Sequence, residues 1–162
     1  MHPHCNRCQA ELDPSSTSSL CPACAGELSA AADVAALRAF VDGIDAPVLL
    51  MQREPRQVVT ANTQALRMFG KDLSQTEGHR GGEVFDCVHA FTPAGCGKDV
   101  HCESCPIKTA VLDSFATGAP SGEVQSRLTV VKDGASGLRD MQVSTAQAAG
   151  LVLLRIDRYD AV

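Results

Sequence analysis

Large aromatic side chains are scarce in this sequence. Its 162 residues include no Trp, one Tyr and five Phe. Pockets for large organic cofactors are lined mainly by apolar and aromatic side chains, so the composition gives no sign of a haem or flavin pocket. Long apolar runs are missing too, because none approaches the roughly 20 residues that a membrane-spanning helix needs. We therefore expect no membrane partner.

Positive charge is also limited. The chain has 14 Lys and Arg against 19 Asp and Glu, which gives a formal net charge of −5. Residues 1–30 contain one Lys or Arg side chain, Arg7. A protein that binds nucleic acid needs a basic face to contact the phosphates, so we expect no nucleic-acid partner.

The first residues lack the apolar stretch that a secretory signal contains. Residues 1–9 are polar and include two cysteines, so we expect a cytoplasmic protein. Thiols stay reduced in the cytoplasm. In that compartment, cysteine pairs separated by two residues favour metal binding over structural disulfides.

All eight cysteines fall into two groups of four, with none left over. The first group has the spacing C-x2-C-x12-C-x2-C and the second has the spacing C-x8-C-x5-C-x2-C. Four thiolates can close a tetrahedral zinc site or hold an iron–sulfur cluster. The predicted metal ligands are Cys5, Cys8, Cys21 and Cys24 in the first group, and Cys87, Cys96, Cys102 and Cys105 in the second.

Zinc is the metal that we expect at the first group. Zinc binding stabilises small finger peptides by roughly 10–16 kcal/mol, so a segment with almost no apolar core can fold around the ion. Residues 4–25 resemble a zinc ribbon or zinc knuckle. We expect this segment to cap the fold or to offer a surface for a protein contact.

The second group leaves three interpretations open. Its thiolates can hold an iron–sulfur cluster or a structural zinc ion. Alternatively, Cys102 and Cys105 can form a redox dithiol, because they precede a predicted helix whose N-terminus can lower the pKa of a thiol. Gly95 and Gly97 flank Cys96 and give the chain the freedom to wrap around a cluster.

No motif in the sequence indicates an enzyme. There is no nucleophile elbow, no P-loop and no dinucleotide-binding glycine fingerprint. His89 and His101 lie close to cysteines of the second group and could replace one of them as a ligand. Since four thiolates already complete a site, we expect these histidines to lie at the surface or behind the ligands.

The N-terminal part of the chain is predicted as a small knuckle and a linker helix. Residues 1–27 show no helical or strand periodicity. Ser29 then caps a helix whose apolar side runs from Val34 to Val41 and which ends at Gly43. We divide the chain into a zinc knuckle at 1–28, a linker helix at 29–45 and an α+β domain at 46–162, whose loop 87–105 carries the second cysteine group.

Short strands and helices follow the linker. Two strands at 47–51 and 57–60, joined by a turn at 54–56, precede a helix that Asn62 caps. Another helix begins at Pro106, where the missing amide proton costs nothing, and ends at Gly118. Its apolar side is formed by Ile107, Ala110, Val111, Ser114 and Phe115. Three strands close the chain, with predicted bounds of 122–132, 138–147 and 151–157.

This order of elements resembles that of a PAS domain. Residues 46–51, 58–62 and 82–85 resemble segments from the first half of such domains, residues 153–157 resemble the last strand, and the resemblance covers about residues 34–160. It implies a five-stranded antiparallel sheet with helices inserted between the second and third strands. The segment from Cys87 to Cys105 is similar to that of cysteine-bearing PAS domains in bacterial sensor proteins.

The resemblance implies a non-enzymatic sensory or regulatory module. PAS domains sense small molecules, redox state or gases through a bound ligand and pass the signal through flanking helices. No output domain follows Val162, so we expect contacts with a signalling or regulatory protein in trans. The apolar stripe between Val34 and Val41 predicts a homodimer. The alternatives are a thiol–disulfide redox enzyme that uses Cys102 and Cys105, and an adaptor with two purely structural zinc sites.

Overall fold

The computed structural model describes residues 3–16, 18–53 and 56–162. Two residues of the predicted turn between the first strands, Glu54 and Pro55, lie outside these ranges. Within them, no helix has the combination of length and apolar character that crossing a bilayer requires.

One antiparallel sheet of five strands organises the fold, and its strand order is β2-β1-β5-β4-β3. The strands are β1 (Val48–Met51), β2 (Val58–Ala61), β3 (Ser121–Lys132), β4 (Ala135–Ala148) and β5 (Leu151–Ala161). Helices are inserted between β2 and β3, as predicted. The α+β class and the PAS-like sheet are therefore confirmed.

Two-residue turns join the last three strands. Asp133 and Gly134 have φ values of 52° and 78°, and Ala149 and Gly150 have values of 54° and 75°. Positive φ at both central residues is typical of the tight turns whose twist matches that of antiparallel strands. The first turn is shorter than predicted, because β4 already begins at Ala135.

In the part of the chain that the structure describes, five α-helices and three short 3-10 helices surround the sheet. The α-helices are α1 (Pro22–Ala30), α2 (Val34–Asp42), α3 (Thr63–Phe69), α4 (Gly81–Val84) and α5 (Pro106–Thr117). The 3-10 helices are Leu73–Gln75, Val88–Phe91 and Val100–Ser104. Helix α5 has Pro106 in its first turn and ends at Gly118, which has a φ of 74°, so its predicted bounds are confirmed.

The N-terminal helices differ from the prediction. The prediction that residues 1–27 contain no regular element was wrong, because α1 starts at Pro22 and Cys21 is its N-cap. The single linker helix capped by Ser29 was also wrong. Ala31 is in an extended conformation and ends α1. Asp33 then starts α2 by accepting a 2.8 Å hydrogen bond from the amide of Ala36.

Strand β1 is buried on both faces and separates two apolar cores. Its side chains alternate between the faces, as the pleat of a strand requires. Leu49 and Met51 pack in the core that faces α3, α4 and α5. Val48 and Leu50 pack instead with the N-terminal helices. The N-terminal segment therefore covers one face of the sheet.

The second core contains most of the apolar stripe that predicted a homodimer. Phe40 and Val41 are fully buried against residues of the knuckle and the sheet, and Leu37 is partly buried there. Val34 at the start of α2 remains exposed. The homodimer stays a prediction, and most of this stripe already has contacts within the chain.

Asn62 connects three elements from a buried position, and its predicted role as the cap of α3 is confirmed. Its side-chain oxygen accepts hydrogen bonds from the amides of Val48 and Ala65, each with a length of 3.0 Å. Its side-chain nitrogen donates to the carbonyls of Val41 over 3.1 Å and Ala46 over 2.6 Å. All four contacts are made inside the protein, so this buried amide is fully satisfied.

Candidate metal centres

The first cysteine group converges as predicted. The sulfur atoms of Cys5, Cys8, Cys21 and Cys24 all lie within 4.8 Å of one another. Cys8 Sγ and Cys21 Sγ are 3.6 Å apart. With a zinc–sulfur bond of about 2.3 Å, two sulfurs on one tetrahedral ion would lie about 3.8 Å apart. The four thiols therefore have the spacing of a site for a single ion.

Backbone hydrogen bonds shape this first group. The amide of Cys5 donates to the carbonyl of Ala10 over 2.8 Å, and the amide of Asn6 donates to that of Ser19 over 2.8 Å. The first bond closes the turn that carries Cys5 and Cys8, and the second holds the two cysteine pairs side by side. In the second pair, the amide of Cys24 lies 3.5 Å from Cys21 Sγ and donates to it, a contact that stabilises a thiolate.

The thiols of the first group ionise unequally. Burial opposes ionisation of Cys5, but hydrogen bonds from the amides of Cys8, Cys21 and Arg7 lower its pKa to about 6. Burial raises the pKa of Cys24 to about 12, against the opposing effect of the nearby Arg7 guanidinium. Four adjacent sulfurs cannot all become thiolates without a cation to balance them, so the group is suited to bind one.

Arg7 ties this group to helix α2. Its Nε donates to the carbonyl of Phe40 over 3.0 Å. Its two terminal nitrogens donate to the Glu27 carboxylate over 2.7 and 2.9 Å, and Nη1 lies 3.8 Å from Cys24 Sγ. The guanidinium also lies 4.5 Å from the centre of the Phe40 ring. A displacement of the cysteines can therefore be transmitted to α2 through the Arg7 side chain.

The second cysteine group lines a cavity of about 210 Å³ between the sheet, α4, α5 and the loop that joins these helices. All four of the predicted ligands, Cys87, Cys96, Cys102 and Cys105, belong to its wall. The rest of the wall is largely apolar and includes Met51, Phe85, Ile107, Val111, Leu128 and Leu154. The structure thus brings the four predicted residues together around one cavity.

The sulfurs of the second group are spaced more widely than those of the first. Among the described residues, two sets of ligand atoms lie within 4.8 Å of one another: the first cysteine group, and His89 with Asp99 and His101. The second cysteine group is not such a set. Sulfurs that bind different iron atoms of one cluster lie farther apart than sulfurs that bind one ion.

Two backbone amides point at sulfurs of the cavity. Gly82 of α4 donates to Cys96 Sγ over 3.2 Å, and Gly97 donates to Cys102 Sγ over 3.2 Å. Gly97 has a φ of 82°, a conformation that favours glycine, and a Cβ at this position would overlap the guanidinium of Arg56. Hydrogen bonds to sulfur stabilise thiolate ligands and tune clusters.

Positive side chains lie beside the same loop. Lys108 of α5 donates to the carbonyl of Gly97 over 2.8 Å. Burial raises the pKa of Cys96, and the positive charge of Arg56, which lines the cavity, opposes that rise. An anionic centre needs such compensation when it is removed from water. The cysteine spacing did not point to Arg56 or Lys108. Arg56 is far from the second cysteine group in the sequence, and Lys108 lies outside the 87–105 loop.

Burial dominates the ionisation of the cavity thiols. It raises the pKa of Cys87, an effect that the His89 amide opposes and that Cys96, Cys105 and Cys102 reinforce. Burial also raises the pKa of Cys96. The mutual repulsion shows that the sulfurs share one electrostatic environment, and a bound cationic metal would relieve it.

The loop is held by bonds at each cysteine. Cys87 forms an isolated bridge with Val130 of β3. Cys102 donates its amide to the carbonyl of Asp99 over 2.9 Å, and Cys105 donates to that of Cys102 over 3.2 Å. Cys105 is the N-cap residue of α5 but its side chain makes no capping hydrogen bond, so its sulfur remains available as a ligand.

Comparison with known proteins agrees with the fold. A PAS-domain family model matches residues 35–103. A LOV protein from Rhodobacter sphaeroides aligns with a TM-score of 0.51 and 18% identity, over 74% of this chain and 63% of that one. The aligned part is thus less than two thirds of the LOV protein. The PAS domain of a Desulfitobacterium hafniense protein aligns with a TM-score of 0.38 and 18% identity, over 76% and 99% of the two chains. No curated protein matches the sequence.

Proposed function

We propose that this chain is a cytoplasmic sensory or regulatory module with two metal centres of different kinds. The first cysteine group holds a structural zinc ion, and the second holds an iron–sulfur cluster that receives the signal. The observation that carries this proposal is the shared cavity of Cys87, Cys96, Cys102 and Cys105, whose sulfurs are not gathered as closely as those of the first group. The PAS fold supports a sensory role.

One feature favours a cluster over a second zinc ion, and two others suit any anionic centre bound by thiolates. The sulfurs surround a space instead of meeting at a point. Amides of Gly82 and Gly97 donate to two of the sulfurs. Arg56 and Lys108 add positive charge near the loop. When bound, an iron–sulfur cluster supplies a centre that changes its charge by one electron or is lost on oxidation.

A small inorganic centre also fits the cavity better than a large organic cofactor. Pockets that enclose drug-sized ligands measure roughly 300–1,000 Å³, and this cavity measures about 210 Å³. Its wall carries four thiols, which an organic ligand would leave without partners. The size and the donor set thus support the same interpretation.

The loop that carries the cysteines can also present a signal to a partner. Phe91 and Val100 lie on this loop and are 59% and 69% exposed. Exposed apolar side chains are candidates for protein contacts. A change at the cluster would shift the short helices that carry these side chains, and a signalling or regulatory protein in trans would read that shift.

Metal analysis of anaerobically purified protein tests this function. We expect brown protein with one zinc ion per chain, together with iron and acid-labile sulfide. Cys102→Ser should remove iron and leave the zinc, whereas Cys8→Ser should remove zinc and leave the iron. Colourless protein with two zinc ions per chain would instead favour the adaptor with two structural sites.

The redox-enzyme alternative has less support from the geometry. Cys102 is 7% exposed, and its sulfur accepts the amide hydrogen of Gly97. A dithiol that exchanges with substrates needs an accessible attacking thiolate. Rapid, stoichiometric disulfide exchange by Cys102 and Cys105 in native metal-free protein would favour the enzyme over the sensor.

A further inference from the structure

A third set of metal-binding side chains lies at the edge of the cysteine cavity. The set consists of His89, Asp99 and His101, whose ligand atoms all lie within 4.8 Å of one another. Both histidines also line the cavity. They come from the two ends of the cysteine loop, one in the 3-10 helix Val88–Phe91 and the other in Val100–Ser104.

The carboxylate of Asp99 is held in place by the loop. Its Oδ1 accepts a hydrogen bond of 2.9 Å from the amide of His101, and its Oδ2 accepts one of 2.8 Å from the Thr92 hydroxyl. These two hydrogen bonds fix the orientation of the carboxylate.

Both imidazole rings turn the same nitrogen toward this carboxylate. Nδ1 of His101 lies 2.7 Å from Asp99 Oδ1, and Nδ1 of His89 lies 3.7 Å from it. The rings stack with their centres 4.4 Å apart and their planes 12° from parallel. The 2.7 Å contact between His101 Nδ1 and Asp99 Oδ1 is a hydrogen bond, and an ion held by both atoms would replace its proton.

We propose that His89, Asp99 and His101 bind one exchangeable divalent transition-metal ion of the zinc type. Two imidazoles and one carboxylate are a donor set that zinc and ferrous iron accept, and three protein ligands leave a coordination position open. The His101 side chain is 65% exposed, so an ion can enter from solvent. None of its three ligands is a cysteine of either group.

An ion here would join the two ends of the loop that carries the cysteines. His89 is two residues from Cys87, and His101 is adjacent to Cys102. Binding would restrain the 3-10 helices on either side of Cys96 and close the edge of the cavity. The concentration of divalent metal would thereby set how often the loop that holds the proposed cluster is restrained.

Cobalt titration of the full chain tests the site. The protein is first purified with its cysteine sites filled, and its metal content is measured. Co²⁺ is then added as the probe. We expect one additional ion per chain with the weak visible bands of nitrogen and oxygen ligation and without sulfur-to-cobalt charge transfer.

Substitutions assign the ion to these residues. His101→Gln changes an exposed side chain and should weaken the additional ion at least ~10-fold, as should Asp99→Asn. His79→Gln is the matched control, because His79 contacts one carboxylate, that of Glu83 over 3.5 Å, and it should leave the affinity unchanged.

Three results would overturn the proposal. The first is unchanged affinity in both His101→Gln and Asp99→Asn. The second is sulfur-to-cobalt charge transfer from the additional ion, which would place it on thiolates. The third is loss of the metal already bound at the second cysteine group in His101→Gln, which would make this histidine part of that centre. Circular dichroism of each variant confirms that the comparison is made between folded proteins.

Discussion

The amide of Gly82 donates to Cys96 Sγ over 3.2 Å, and a Cβ on Gly82 would lie 2.7 Å from the same sulfur. Helix α4 can therefore approach the cysteine loop only where it has no side chain. This contact links a residue outside the loop directly to a predicted metal ligand.

Gly82→Ala should therefore damage the second centre and spare the first. The new methyl group would displace Cys96 and break the hydrogen bond to its sulfur, and loss of such support weakens metal binding by ~10- to 100-fold. Iron and sulfide per chain should fall, while zinc at the first group should not change. Metal analysis and the visible spectrum measure both quantities.

Gly81→Ala provides the matched control. A Cβ at Gly81 would make only ordinary contacts with the Phe85 ring, the shortest being 3.6 Å. This variant should keep its iron. Equal iron in Gly81→Ala and Gly82→Ala would show that the second centre does not depend on the close approach of α4.

Removal of the metal ion from the first cysteine group should destabilise the apolar core that the N-terminal segment forms with one face of the sheet. Cys5 and Cys24 belong to the same buried core as Leu28, Phe40 and Leu153. Cys24→Ser should release the zinc and lower the free energy of unfolding by more than about 4 kcal/mol, in the range of losses that accompany a missing structural metal.

Urea denaturation and limited proteolysis check this loss of stability. Ser16→Ala changes an exposed residue of the same segment and should alter stability by no more than about 0.5 kcal/mol. A Cys24→Ser protein with wild-type stability and full zinc content would argue against a structural ion at this group.

Arg7→Lys should weaken the link between the knuckle and α2. Lysine cannot reproduce the paired contact with Glu27 together with the bond to the Phe40 carbonyl, because its charge sits on one nitrogen. We expect a loss of about 1.5–3 kcal/mol from the free energy of unfolding. Zinc content should stay the same, since Arg7 is not one of the four thiol ligands.

The control for this substitution is Arg67→Lys, at an exposed position of α3. Denaturant titration should give it wild-type stability. If both variants lose the same amount of stability, the contacts of Arg7 with Glu27 and Phe40 contribute nothing specific.

Asn62→Ala should be among the most destabilising changes in the chain. It removes the partner of four hydrogen bonds at a buried position and leaves backbone groups of Val41, Ala46 and Val48 without that partner. We expect a loss of roughly 3–5 kcal/mol, measured by denaturant unfolding. Gln64→Ala, at an exposed position of the same helix, should cost no more than about 0.5 kcal/mol. Similar losses in both variants would contradict the connecting role of Asn62.

Local signals account for the parts of the fold that the sequence predicted well. Helix α5 was predicted from Pro106 to Gly118 with Ile107, Ala110, Val111, Ser114 and Phe115 on its inner side, and these five residues are its buried ones. A proline in the first turn, a glycine at the end and a repeated apolar spacing act over a few residues. They fix a helix before any distant contact forms.

The N-terminal helices show where local signals compete. Ser29 was predicted as the cap of one linker helix. The structure uses Asp33, and it uses Cys21 as the cap of the preceding helix. Leu28 at the end of α1 and Phe40 and Val41 of α2 are buried in the same core, and tertiary burial outweighs small differences in capping preference.

The sequence by itself determined which cysteines form each group, the order of the strands and the ends of the central helices, because these depend on spacing and on short-range backbone geometry. Only the tertiary structure decided how far apart the sulfurs of each group lie. It also decided that Gly82, Arg56 and Lys108 meet the second group and that Asp99 lies between two histidines. The residues in these contacts are distant in the chain or share a loop that has no regular period. The folded path of the backbone therefore determines the contacts, and local conformational preference does not.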